Sequence, residues 1–161
     1  FLDAGKILMA KYPKTKFIVA GKLDFEDPET ISEKTYESLN KSGIEFLGKV
    51  PHEKMNNLYK KATIFVLPSY REGLPKAALE AASTGMPLIL TNVPGCSECV
   101  EDGVNGYFIK EKDLNDLIDK MEKFILNPEI ITTMSISSRK IIEERFSLNL
   151  ISKEFLKLFE K

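Results

Sequence analysis

Ile64-Phe-Val-Leu-Pro-Ser-Tyr-Arg-Glu-Gly-Leu-Pro-Lys-Ala-Ala-Leu-Glu-Ala-Ala-Ser-Thr-Gly85 reads as a strand, a charged loop and a short helix in immediate succession. The opening residues are apolar without alternation, the mark of a strand buried on both faces in a parallel sheet covered by helices. Pro75 suits the first position of a helix and Gly85 the position just past its end, so a helix is expected over 75–84. Ala77, Ala78, Leu79, Ala81 and Ala82 are small enough to let that helix lie close against the sheet. In such sheets the loops that leave the carboxyl ends of the strands form the ligand crevice.

The pattern repeats on either side. Short apolar stretches rich in β-branched or aromatic residues stand at 17–21, 44–48, 87–91 and 106–109, each close to a Gly or Pro. Segments of helical period lie between them at 1–12, 31–41 and 53–61. After the last strand, a helix over 113–126 is capped by Asp113 and halted at Asn127-Pro128, and two further amphipathic stretches follow at 128–145 and 147–160. This predicts an α/β domain over residues 1–161, with a Rossmann-like parallel sheet flanked by helices and a helical C-terminal third. No repeat, low-complexity tract or linker divides the chain. It opens on a helix where a doubly wound sheet opens on a strand, so the first strand is expected to be missing and the chain to be a fragment.

Composition sets the class. The 161 residues are 43% hydrophobic and 29% charged, and 23 Lys+Arg against 24 Asp+Glu leave a net charge of -1. That balance argues against a nucleic-acid partner, which calls for a basic excess. The apolar runs fall well short of the roughly 18 residues of a membrane-spanning helix, and no signal peptide is expected. Two cysteines, Cys96 and Cys99, exclude a disulfide scaffold and suggest a reducing, cytoplasmic setting.

The loop at 69–76 brings Arg71, Glu72 and Lys76 to the end of the strand at 64–68. Glu72 precedes the helix and Glu80 sits in its second turn, so the two carboxylates can enter one cleft from a loop and from a helix. Lys76 and Glu80, four apart, could be a surface ion pair worth about 0.3 kcal/mol, and Glu72 could simply be solvated. Lys before Glu is the poorer order, however, and a lysine in the first turn opposes the helix dipole. Lys76 makes better sense beside an anion held at the helix start.

Glu72 and Glu80, with seven residues between them in Ser-Tyr-Arg-Glu-Gly-Leu-Pro-Lys-Ala-Ala-Leu-Glu-Ala, resemble the paired-glutamate motif of the family 4 retaining glycosyltransferases, the group 1 domain of the two-domain GT-B architecture. Gly48, Gly85-Met-Pro87, Val93-Pro-Gly-Cys-Ser-Glu98 and Glu101-Asp-Gly-Val-Asn-Gly106 extend the resemblance through most of the chain. The loop from Gly21 to Pro28 and the Ser69-Tyr-Arg71 lead-in look most like the branch that builds capsular, lipopolysaccharide and lipid-linked glycans. The resemblance implies a C-terminal domain that binds a nucleotide-sugar donor, a UDP-sugar by expectation. Glu80 would accept hydrogen bonds from the donor ribose. Glu72 would bind hydroxyls of the transferred sugar and stabilise its developing positive charge. Gly73, Leu74 and Lys76 would lie near the diphosphate or sugar, with Gly73 allowing close approach. Gly48, Lys49 and Val50 would border the base, Gly21 would belong to the donor site, and Gly95 and Glu98 would line the same crevice.

No metal and no cofactor is expected, because helix dipoles and basic groups can neutralise the leaving diphosphate. The family's basic pair after its first strand and its acceptor-binding N-terminal domain lie outside this chain, and the second glycine expected after Gly21 is replaced in Gly-Lys-Leu-Asp. The fragment is therefore expected to be inactive alone, with a glycan or lipid-linked acceptor, and any membrane contact, reached through the missing part. The full-length protein would be cytoplasmic or peripheral at the inner membrane face. A GT-B epimerase and a non-catalytic nucleotide-sugar-binding module are the alternatives.

The family's strand order 3-2-1-4-5-6 puts the absent strand between those at 17–21 and 64–68. Upstream residues are the expected remedy, ahead of strand swapping or dimerisation, or the two strands could close on each other. The Cys96-Ser-Glu-Cys99 pair lacks a second pair and reads as free thiols. His52, the sole histidine, reads as an exposed residue at a helix start, and 103–106 as a turn into the last strand.

Overall fold

The computed structural model describes residues 1–22 and 31–159. Of the expected 21–28 loop, only Gly21 and Lys22 lie among them. Five short strands alternate with helices: α1 (Leu2–Lys11), β1 (Ile18–Ala20), α2 (Glu33–Lys41), β2 (Glu45–Gly48), α3 (His52–Tyr59), β3 (Phe65–Leu67), α4 (Lys76–Ser83), β4 (Leu88–Thr91) and β5 (Gly106–Ile109). A 3-10 turn at Cys96–Glu98 lies between β4 and β5, and α5 (Leu114–Leu126), α6 (Glu129–Phe146) and α7 (Leu148–Leu156) follow β5.

Among the described residues all the strand pairs are parallel, in two sheets of order β1-β2 and β3-β4-β5. The sheet is interrupted where the missing strand was expected, because β1 and β3 do not pair with each other. The register Phe65↔Leu88, Val66↔Ile89 and Leu67↔Leu90 is continued on the other side by Leu88↔Gly106 through Thr91↔Ile109.

Alternation along β3 and β4 builds a core on each face. Leu88 and Leu90 pack with Phe65, Leu67, Tyr59 and the α4 alanines, whereas Ile89 packs with Val66, Leu8, Leu117 and Met121. Leu88, Ile89 and Leu90 are fully buried, each worth about 1.5–3 kcal/mol of hydrophobic stabilisation. The second core spans both sheets, since Phe17, Val19, Ile44 and Phe46 join it with Ile64 and Val66.

The small residues of α4 act as expected on one face. Ala78, Ala81 and Ala82 are fully buried, but Ala77 is exposed and does not contribute. Pro75 is the cap residue rather than the first helical one, with ψ 100, and Gly85 follows the helix end at φ +85. Asp113 caps α5 by accepting from the Asp116 N–H at 3.0 Å, and Asn127 ends it. Ser138, fully buried on α6, donates to the Met86 carbonyl at 2.8 Å and ties that helix to the start of β4. The α7 helix buries none of its residues and leaves Leu148, Ile151 and Phe155 exposed. Among the described residues, no helix is long and apolar enough to cross a membrane.

Candidate active site

The loops leaving the strands, and helix α4 behind one of them, carry the residues singled out in the sequence. At the ends of β1 and β2 the Gly21 N–H donates to the Gly48 carbonyl at 2.9 Å, so these two glycines meet. Gly48 holds φ +63, a left-handed turn that an L side chain resists, and it aims the chain through exposed Lys49 and half-buried Val50 into α3.

Glu72 lies in the loop after β3, half-buried, with its Oε1 accepting from the Ser69 hydroxyl at 2.7 Å. The strand-end loop of β4 supports it from the neighbouring side. Gly95 takes φ +88, and a Cβ there would stand 1.5 Å from the Gly73 carbonyl oxygen and 2.8 Å from that of Glu72. The two loops are packed backbone to backbone, which only glycine permits. Beneath them Cys96 is fully buried, its thiol pushed up to about 11 by burial and by the Glu72 charge. Cys99 is equally buried, and burial together with Cys96 and Glu98 pushes it up to about 12. Both are free thiols, as the sequence suggested. Glu98 lies exposed in the 3-10 turn, and Leu74 is exposed before α4.

Glu80 projects from the second turn of α4 toward α3. Its Oε2 accepts from the Tyr59 hydroxyl at 3.3 Å, and its Oε1 lies 3.8 Å from His52 Nδ1. Burial first, then the Glu80 charge and the hydrogen bond, push the Tyr59 hydroxyl up to about 12, so it remains a donor at neutral pH. The possible Lys76–Glu80 ion pair is absent: the partners of Glu80 come from α3, and Lys76 stands exposed at the helix start. Glu80 also forms part of the wall of a groove of about 590 Å³ that runs between α3, α4 and α6 past Tyr59, Thr84 and Arg139.

A second, smaller cavity of about 170 Å³ opens at the carboxyl ends of β3, β4 and β5, beside Pro68, Thr91, Lys110 and Lys112. Lys112 holds φ +56 and places its ammonium 5.2 Å from the centre of the exposed Tyr70 ring, bridging the β5 loop to the Glu72 loop. Among the described residues, no group of three His, Cys, Asp or Glu side chains could hold a metal ion.

The structure thus joins Glu72, Gly73 and Gly95 in one cluster, and Glu80 with the helix that follows the Gly48–Val50 loop in another. Ser69, Tyr59, His52, Tyr70 and Lys112 escaped sequence reasoning as site residues. The three-residue spacing of Ser69 and Glu72 is a local signal that could have been read. Tyr59 and His52 carry none, because their relation to Glu80 is made by helix packing. His52 is exposed at a helix start, as read, yet it faces a carboxylate.

A family model described as "Glycosyl transferases group 1" matches residues 1–143. The capsular polysaccharide biosynthesis glycosyltransferase CapM of Staphylococcus aureus is 29% identical over 158 residues, covering 98% of this chain and 41% of the relative. An N,N'-diacetylbacillosaminyl-diphospho-undecaprenol alpha-1,3-N-acetylgalactosaminyltransferase of Campylobacter jejuni is 28% identical, covering 92% of this chain and 38% of the relative. The chain spans about two fifths of the length of these relatives. Among solved structures, a mutant of TarM from S. aureus, in complex with Fondaparinux, alpha-GlcNAc-glycerol and UDP, superposes with a TM-score of 0.85 at 23% identity, covering 99% of this chain and 32% of that one. The fold is the α/β arrangement of GT-B glycosyltransferases.

Proposed function

The chain belongs to the group 1 glycosyl transferases, and from that premise we propose that it is the C-terminal, donor-binding domain of a retaining enzyme that moves a sugar from a UDP-sugar to a glycan or lipid-linked acceptor. The observation that carries this reading is the placement of two carboxylates around the start of α4, each with its own polar partner: Glu72 on Ser69 and Glu80 on Tyr59.

In this reading, Glu80 accepts hydrogen bonds from both ribose hydroxyls, while the Tyr59 hydroxyl holds its carboxylate toward α3. Gly48, Lys49 and Val50 border the base, with Gly21 behind them. The diphosphate lies at the start of α4, where the backbone amides of Gly73 and Leu74, the helix dipole and Lys76 offset its charge. Departure of UDP breaks the bond between the sugar's anomeric carbon and the phosphate oxygen, and the electron pair leaves with the diphosphate. The acceptor oxygen then bonds to that carbon on the face UDP has left, and its proton passes to the departing phosphate. Glu72 binds hydroxyls of the sugar, and its negative charge stabilises the oxocarbenium-like transition state. Gly95 and Glu98 border the crevice from the β4 loop. No step requires a metal.

The capsular and undecaprenol-linked relatives support a polysaccharide or lipopolysaccharide type of product, and the UDP in the TarM complex supports the choice of nucleotide. A cytoplasmic enzyme, peripheral to the membrane that carries its acceptor, fits both. The acceptor would be held by a part of the protein outside this chain.

Transfer assays with the full-length protein and a panel of UDP-sugars test the proposal. Sugar transfer with retained anomeric configuration is expected from one of them, and Glu72→Gln is expected to lower kcat more than donor affinity. Donor binding without transfer to any acceptor would favour the binding-module alternative.

A further inference from the structure

We infer that Ser69 is a positioning residue for Glu72, selecting which carboxylate oxygen is left to meet the donor sugar. The inference rests on the reading of Glu72 given above and extends it to a side chain with no assigned role.

Ser69 is the second residue after β3, whose three residues are paired with β4 along their whole length. Pro68 precedes it and fixes its own φ, so the serine stands on a rigid mount at the strand end. Its hydroxyl donates to Glu72 Oε1 at 2.7 Å, within the range of strong O–H···O bonds to a carboxylate. Both residues are half-buried, which limits the competition of water for that bond. Ser69 takes one acceptor site of Oε1, and Oε2, with no partner among the described residues, is the oxygen with its full accepting capacity left for the sugar. Without the serine hydroxyl, the Glu72 side chain regains rotation about its bonds, and the charge is no longer held in one place.

The backbone of the loop is fixed separately. Gly95 packs on the Gly73 carbonyl, and Lys112 lies over the Tyr70 ring. Loss of the Ser69 hydroxyl is therefore expected to release the Glu72 carboxylate while leaving the loop in place. The expected signature is a loss in kcat rather than in donor affinity or folding.

The test is made on the full-length enzyme with Ser69→Ala, Ser69→Thr, Ser69→Cys and Glu72→Gln, measuring kcat, KM for the UDP-sugar and Tm. Ser69→Ala is expected to lower kcat roughly 10- to 100-fold, as loss of a hydrogen bond to a charged group implies, with KM changed less than about 3-fold. Ser69→Thr keeps the hydroxyl and is expected to restore most of the activity. Ser69→Cys keeps the volume but donates weakly, and is expected to behave like Ser69→Ala. If Ser69→Ala fails to fold, the Thr and Cys pair decides, and equal activity in the two overturns the inference. Wild-type kcat in Ser69→Ala beside a crippled Glu72→Gln overturns the role of Ser69 and leaves Glu72 standing. Wild-type kcat in both overturns the reading of Glu72 itself. A parallel fall in kcat and Tm that threonine does not rescue reduces Ser69 to a structural residue and also overturns the inference.

Discussion

The Cα of Gly95 is pressed so closely on the backbone of Gly73 that a Cβ added to Gly95 would stand 1.5 Å from the Gly73 carbonyl oxygen. No side chain can be accommodated there without moving one of the two loops. The β4 loop is thereby a template for the loop that bears Glu72, and the distance between strands β3 and β4 is translated into the position of a carboxylate.

Gly95→Ala is expected to destabilise the fold by several kcal/mol or to displace the Glu72 loop, because a backbone clash adds to the strain of φ +88. Gly43→Ala is the control. Gly43 has a similar φ of +94 with nothing within 4 Å, so only the left-handed strain of about 1–2 kcal/mol is expected. Urea unfolding of the two variants measures the difference, and equal losses would show that the Gly95 contact can relax.

Ile89 faces the opposite core from its neighbours Leu88 and Leu90, and is fully buried among residues of α1, α5 and β3. Ile89→Ala is expected to cost about 2–5 kcal/mol through lost burial and a residual cavity. Ser138→Ala removes a hydroxyl that donates to the buried Met86 carbonyl and is expected to cost about 1–3 kcal/mol. Chemical denaturation checks both values.

Cys96 and Cys99 are fully buried, with thiols pushed up from 9 to about 11 and about 12. Neither is expected to react with a thiol reagent at pH 8 until the protein is unfolded, after which both react. Linkage adds an alkaline limit. Groups whose folded pKa is raised contribute stability that is complete below the unfolded value and is lost as pH rises through the folded one. For the thiols that window is about pH 9 to 12. For Tyr59, raised from 10.0 to about 12, it is about pH 10 to 12. The Tm is therefore expected to fall steeply above about pH 9, and less steeply in Cys99→Ala.

The strands and helices were legible because apolar runs, Pro75, Gly85, Asp113 and Asn127 each act within a few residues of themselves. The break between β1 and β3 was legible too, since a doubly wound order assigns each strand a neighbour. The 3-10 turn at Cys96–Glu98 was not, for it depends on the packing of two cysteines beneath the Glu72 loop. The partners of Glu80 were not legible for the same kind of reason. Lys76 lies four residues away in sequence, whereas Tyr59 lies 21 away and is brought alongside only when α3 packs on α4. Ala77, counted with the packed alanines, is exposed because a helix of eight residues offers the sheet only one face. The role of Gly95 against Gly73 required two strand ends to be adjacent, which the register of β3 on β4 provides.

The assignment of Glu80 to the donor ribose is tested most directly by isothermal calorimetry, with UDP titrated into the intact protein and into its Glu80→Ala variant under identical conditions. Loss of the carboxylate is expected to weaken binding by about 1.5–3 kcal/mol, roughly 10- to 150-fold in Kd, with the Tm of the variant little changed. Equal affinity of the two proteins for UDP would contradict it.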